Sequence, residues 1–156
     1  MFNEELYVIC HNIRSLHNVG SIFRTADAAG VTRIYLCGYT GYPPRKEISK
    51  VALGAEKTVS WERHAQTWRV LERLRASGVE VVALENHLDS PSMDFRLFRP
   101  QFPAALLLGN EVRGLSPTLL KRADKIAHIP MYGQKESLNV AVAFGIAIYE
   151  LNRGRE

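Results

Sequence analysis

The chain has 156 residues, 46% hydrophobic and 23% charged, with a formal net charge of +4 at pH 7. That size and composition fit one ordinary globular domain with a single core and exclude a disordered chain. The mild basic excess permits an anionic partner without requiring one, and no apolar run is long enough to cross a bilayer.

Met1 to Glu5 is acidic and lacks the charged-then-apolar pattern of a secretory leader, so a cytoplasmic location is expected. Glu5 to Cys10 reads as a buried strand and His11 to His17 as a loop. Asn18 to Ala29 reads as a helix stopped by Gly30. Arg33 to Cys37 is a second strand, and Gly38 to Pro44 a loop broken by Gly38, Gly41, Pro43 and Pro44. A short helix is expected over Lys46 to Leu53 and a short strand over Thr58 to Trp61. Gln66 to Ala76 reads as an amphipathic helix with Trp68, Leu71 and Leu74 as its apolar stripe. Val79 to Leu84 is a strand and Asp89 to Pro103 an irregular excursion. Ala104 to Leu108 is a strand, Gly109 to Leu115 a Gly-bounded loop, Pro117 to Arg122 a short helix and Lys125 to Ile129 a strand. Apolar strands alternating with helices predict an α/β domain whose mainly parallel sheet is covered by helices on both faces.

Ser137 to Asn152 reads as the final helix, with Ser137 as N-cap and Asn139 presenting an amide to the unpaired N–H groups of the first turn. The run from Val140 to Tyr149 is apolar almost all round, so it must be covered on several sides. Cys10 and Cys37 each end an apolar run and are expected as buried free thiols. The five histidines show no metal-ligand spacing, and no cysteine joins them in a zinc pattern, so no metal is expected. No phosphate-binding G-x-G-x-x-G or Walker-type lysine loop is present. Solvation suffices to explain Arg69, Arg73 and Arg75. It explains less well Arg14, Arg24, Arg45, Lys46, Lys50 and Arg113, which fall in or near Gly-bearing loops.

In open parallel sheets, ligands sit beyond the carboxyl ends of strands. Three polar segments occupy that position: Asn12 to Asp27, Gly109 to Ser116, and Pro130 to Asn139. Taken alone, each has a bland reading. Asn18 serves as an N-cap, Gly109 and Gly114 as turn residues, and Glu111 pairs with Arg113 in solvent. Together, Asn18-Val19-Gly20-Ser21-Ile22-Phe23-Arg24-Thr25-Ala26, Leu107-Leu108-Gly109-Asn110-Glu111 with Gly114-Leu115-Ser116, and Ile129-Pro130-Met131 with Ser137-Leu138-Asn139-Val140 resemble the three motifs of the SpoU/TrmH family. These are RNA methyltransferases of the SPOUT superfamily that use S-adenosylmethionine. The resemblance covers nearly the whole chain.

The resemblance implies a C-terminal deep trefoil knot, an exception to the rule that chains do not thread loops. It implies that the knot pocket binds S-adenosylmethionine through Leu108, Gly109, Glu111, Ile129, Met131, Ser137, Leu138 and Asn139. It implies a homodimer whose active site draws on both subunits, which would give the apolar final helix a second surface to pack on. The implied reaction is methylation of a ribose 2′-hydroxyl of tRNA or rRNA. Arg24 matches the family's catalytic arginine, sometimes proposed as the base. A guanidinium, with a pKa above about 12, stays protonated, so holding phosphate and ribose and acidifying the hydroxyl is the safer role. Asn18 would orient the ribose or Arg24, Glu111 would position Arg24 or line the site, and Asn139 would order the cofactor edge. Many family members carry an added RNA-binding domain. Here the expectation is a single catalytic domain over residues 1–156 without one, its RNA grip coming from Arg14, Arg24, Arg45, Lys46 and Arg113. The competing readings are a catalytically idle RNA-binding or ribosome-assembly protein on the same fold, and base methylation by a related SPOUT chemistry.

Overall fold

The computed structural model describes residues 4–86 and 91–155. Seven strands form one sheet: β1 (Leu6–His11), β2 (Arg33–Cys37), β3 (Ser60–His64), β4 (Glu80–Leu84), β5 (Met93–Asp94), β6 (Ala104–Leu108) and β7 (Lys125–His128). Their order across the sheet is β3-β2-β1-β6-β4-β7-β5, and every pairing is parallel. The helices are α1 (Leu16–Ala28), α2 (Lys46–Ala52), α3 (Ala55–Thr58), α4 (Thr67–Ala76), α5 (Pro117–Leu120) and α6 (Val140–Asn152).

Alternation along each strand divides the core into two clusters. Val8, Cys10, Leu36, Val82, Leu106 and Leu108 face one side, with Val19, Ile22 and Phe23 of α1, Ile48 of α2 and Phe144 and Ile148 of α6. Ile9, Tyr35, Val81, Ala83 and Leu107 face the other, with Val70, Leu71 and Leu74 of α4 and Leu119 of α5. Burial on both faces explains why the strands read as unbroken apolar runs. Gly20 lets α1 and α2 approach closely: a Cβ there would lie 2.7 Å from the Ile48 carbonyl oxygen. Cys10 and Cys37 are buried free thiols, both made harder to ionise by burial, Cys37 up to about 12.

Several boundaries differ from the sequence reading. The first helix begins at Leu16 because the Ser15 side chain accepts the Asn18 N–H, so Ser15 and not Asn18 is the N-cap. The chain after α2 turns through Leu53 and Gly54, both at positive φ, into α3, which displaces the next strand to Ser60–His64. The buried stripe of α4 is Thr67, Val70, Leu71 and Leu74. Trp68 lies outside it, between the guanidinium groups of Arg69 and Arg122 at 5.2 and 5.6 Å. The described part of the 89–103 excursion holds β5 and a 3-10 turn at Phe95–Leu97; Asp89 and Ser90 lie outside the described residues. The final helix starts at Val140, capped by Asn139, whose Oδ1 accepts the N–H groups of Ala141 and Val142 at 2.9 and 3.2 Å. Ser137 is exposed in the preceding loop. One side of α6 packs on α1 and β6, while Val142, Ile146 and Tyr149 remain 54%, 47% and 52% exposed.

Candidate active site

The strand order reverses direction between β1 and β6, so the loops leaving these two strands part at the carboxyl edge of the sheet, where crevices form in open α/β folds. Glu111, just beyond β6, reaches across this gap. Its Oε1 accepts the Ser15 N–H at 3.0 Å and the Asn18 Nδ2–H at 3.2 Å, and its Oε2 accepts the Arg14 N–H at 3.0 Å. Burial alone would raise its pKa; the Ser15 and Arg14 N–H groups and Asn18 outweigh this and hold the carboxyl below its ordinary range. Asn18, buried in the first turn of α1, accepts at Oδ1 from Asn139 Nδ2 at 3.2 Å. Glu111, Asn18 and Asn139 thus form one hydrogen-bonded chain joining the three polar segments. Its donor and acceptor pattern fixes the orientation of the Asn18 amide.

The loop after β6 is tightly folded. Asn110 and Gly114 pair as an antiparallel bridge, and the Asn110 side chain donates to the Asn12 carbonyl at 2.8 Å while its Oδ1 accepts the N–H groups of Val112 and Arg113. Gly114 has φ +64°, and a Cβ there would lie 3.0 Å from the Glu85 carboxyl carbon. The Glu85 carboxylate also accepts the Leu115 N–H at 2.7 Å. Asn86 clips the chain beyond β7, donating to the Ile129 carbonyl at 2.9 Å and accepting the Ile129 N–H at 3.3 Å.

Between these loops lies a cavity of about 900 Å³. Leu108, Gly109, Glu111, Ile129, Met131, Ser137 and Leu138, seven of the eight residues expected to bind the cofactor, line it; Asn139 sits at its edge as the α6 cap. Leu84, Glu85 and Asn86 line it as well, and the sequence reading missed them. The signal was available, since they end β4 and follow it at the same carboxyl edge. Arg24 does not line this cavity. It is exposed on α1, and of the two roles expected for Glu111, positioning Arg24 or lining the site, the second is the one seen: Glu111 lines the cavity and bonds Arg14, Ser15 and Asn18. Arg14, Arg45, Lys46 and Arg113 are all exposed. Among the described residues no group of three or more His, Cys, Asp or Glu side chains is arranged to hold a metal ion, and no helix is long and apolar enough to cross a membrane.

The chain is 37% identical over 154 residues to a tRNA (guanosine(18)-2′-O)-methyltransferase of Aquifex aeolicus, covering 98% of this chain and 71% of that protein. It is 32% identical over 152 residues to the protein of the same name from Escherichia coli K12, covering 97% of this chain and 65% of that one. The fold superposes on the crystal structure of an AdoMet-bound rRNA methyltransferase from Sinorhizobium meliloti with a TM-score of 0.91 at 37% identity, over 99% of this chain and 58% of that one. The chain therefore spans between 58% and 71% of the length of these three proteins. The profile of the SpoU rRNA Methylase family matches residues 5–149. With the three polar segments bonded through Glu111, Asn18 and Asn139 around one cavity, this match places the chain in the SpoU methylase family.

Proposed function

We propose that this domain transfers a methyl group from S-adenosylmethionine to a ribose 2′-hydroxyl of tRNA or rRNA. The observation that carries the reading is the cavity joined to the Glu111–Asn18–Asn139 chain. Its volume falls in the usual range of small-molecule sites, roughly 300–1,000 Å³. Its wall fits the cofactor: apolar Leu84, Leu108, Ile129 and Leu138 suit an adenine, and Glu85, Asn86 and Glu111 supply polar edges for its charged and hydroxyl groups. The relatives named as ribose methyltransferases and the AdoMet-bound neighbour support the assignment. When bound, S-adenosylmethionine supplies an electrophilic sulfonium methyl.

The chain's own residues must hold the ribose in line with that methyl and ease departure of the hydroxyl proton. Arg24 supplies a fixed positive charge for the phosphate and the developing alkoxide, and the proton leaves to a phosphate oxygen or water. Glu111 holds Asn18, and Asn18 in turn holds Asn139 at the edge of the site.

In this reading the protein is a homodimer and Arg24 serves the partner's cavity. The support is twofold. Arg24 stands apart from the cavity of its own chain, and α1 packs on α6, with Thr25 Cγ2 3.9 Å from where a Cβ on Gly145 would lie. Val142, Ile146 and Tyr149 present an apolar stripe on that helix, suited to the same stripe of a second copy about a twofold axis. Ile146→Glu is expected to convert a dimer to a monomer in sedimentation velocity; a monomeric wild type removes the composite site. A deep trefoil knot formed by the C-terminal segment belongs to the same reading, supported by the family match and by the bonds of Asn86 and Asn139 that anchor both ends of the 129–139 segment.

The test is incubation with methyl-labelled S-adenosylmethionine and unmodified total RNA, followed by alkaline digestion. Label in alkali-resistant dinucleotides is the expected outcome. Cofactor binding without transfer overturns the enzymatic reading, and label in alkali-sensitive mononucleotides indicates a base as the acceptor.

A further inference from the structure

Two exposed tyrosines stand beside the cavity but not in it. Tyr39 and Tyr42, 59% and 44% exposed, lie on the loop that leaves the carboxyl end of β2. The loop is braced from beneath. The buried Thr40 hydroxyl accepts the Ile13 N–H at 2.9 Å and bonds the Cys37 carbonyl at 2.7 Å, and the Tyr39 N–H donates to Asn12 Oδ1 at 3.0 Å. The Tyr39 hydroxyl accepts from Asn110 Nδ2 at 2.8 Å, which ties this ring to the loop forming the cavity rim. The Tyr42 ring lies 6.2 Å from that of Trp61, and the exposed Arg63 guanidinium sits 5.4 Å from the Tyr42 centroid. Arg45 and Lys46 follow after Pro43 and Pro44, both exposed. Large aromatic rings left half-exposed on a braced loop, with cations beside them and a cavity at one end, match how single-stranded nucleic acid is held: bases stack on rings and phosphates meet arginines.

We infer that Tyr39, Tyr42 and Arg63 form a stacking shelf for an unpaired RNA base next to the ribose that enters the cavity. The inference rests on the proposed RNA substrate and deepens it, since it requires the target nucleotide to lie in an unpaired stretch. Stacking needs the ring and tolerates any base, so the shelf secures register and strand state, not sequence. The positive charge of Arg63, Arg45 and Lys46 favours an RNA segment over a neutral protein surface.

The test uses a fluorescein-labelled single-stranded oligouridylate of eight nucleotides, an oligomer of the same length abasic at every position, and an RNA duplex of equal length. Tyr39→Ala/Tyr42→Ala is expected to bind the single strand about tenfold or more weakly than wild type, the scale of removing one stack. Tyr42→Phe retains affinity, and the double variant loses little on the abasic oligomer or the duplex. S-adenosylmethionine binding by calorimetry stays unchanged in all variants, because neither tyrosine lines the cavity. Equal affinity of the double variant and wild type for the single strand overturns the shelf, as does an equal loss on the duplex. The two readings fail separately: a wild type that labels total RNA while the double variant binds normally sinks only the shelf. A wild type that binds single strands through the tyrosines yet transfers no methyl sinks the catalytic reading and leaves the shelf standing.

Discussion

The two halves of the sheet's carboxyl edge are built differently. Beyond β6, β4 and β7 the chain closes on itself through Asn110, Glu85 and Asn86, leaving a cavity walled by apolar and polar side chains together. Beyond β1 and β2 the loops project Arg14, Tyr39 and Tyr42 into solvent, and Arg63, near the end of β3, is exposed beside them. A small molecule gains most from enclosure, where desolvated contacts surround it. A polymer must enter and leave sideways, and needs open rings and charges along its path. Glu111 is the hinge of this comparison, rooted in the closed half and bonded to the N–H groups of Arg14 and Ser15 in the open half.

The largest test falls on the junction. Arg24→Ala is expected to lower turnover by about a hundredfold or more, on the scale of removing a charge-stabilising donor, while both cofactor and RNA still bind. Unchanged turnover would reduce Arg24 to a surface residue. A mixture of Arg24→Ala with Gly114→Ala sharpens this further. At cofactor concentrations too low to load Gly114→Ala, hybrid dimers carry one intact site if Arg24 serves the partner's cavity, and random assortment restores roughly a quarter of wild-type turnover. No recovery means that each chain uses its own arginine.

Gly114→Ala attacks the closed half alone. An alanine at φ +64° costs about 1–3 kcal/mol in strain, and its Cβ would crowd the Glu85 carboxylate. Cofactor affinity measured by calorimetry should fall roughly tenfold while RNA affinity holds. Neutralising Arg45 and Lys46 makes the reciprocal cut. Cofactor affinity holds, RNA affinity falls, and the salt slope of single-strand binding flattens by about 0.7 for each phosphate that is no longer neutralised. An unchanged slope would free these two cations of any role in RNA binding.

How far the sequence disclosed this division depends on the kind of signal. The strands were legible because burial on both faces leaves unbroken apolar runs, as in Ala104–Leu108. The closed half was legible because Gly109, Gly114 and Asn139 fall in segments that together resemble the motifs of the SpoU/TrmH family, although each segment alone had a bland reading. Two features escaped. Leu84, Glu85 and Asn86 belong to no motif; their place at the carboxyl end of a strand put them at the right edge, and only the position of β4 between β6 and β7 brings them into the cavity. The cap of α1 also went astray. Both Ser15 and Asn18 are good capping residues, and the choice between them is decided by Glu111, 93 residues from Asn18, which draws Asn18 into the helix as a hydrogen-bond relay. The apolar character of α6 was read correctly, yet one chain covers only one of its sides, leaving Val142, Ile146 and Tyr149 to the interface proposed above.

The smallest expected effect is on pH. His11, at the end of β1, has Nδ1 2.6 Å from the Thr67 hydroxyl and Nε2 3.3 Å from Asn12 Nδ2. An amide N–H can donate only to an unprotonated Nε2, so the folded ring is neutral with its proton on Nδ1. Burial lowers its pKa in the same sense. The unfolded chain takes up this proton first, so the contribution of His11 to stability is complete above about pH 6.5 and declines as pH falls through that value toward the lowered one. Glu111, also held low, contributes fully above about pH 4 and loses that contribution only in stronger acid, as pH drops through its folded value. The windows are separate, so between about pH 6.5 and 5 His11 acts without Glu111. Thermal unfolding across that range should show a shallower decline for His11→Gln than for wild type, the remaining histidines being common to both. Parallel declines would mean that Asn12 and Thr67 accommodate the charged ring. The neck between the open loop and β1 would then be softer than its hydrogen bonds suggest.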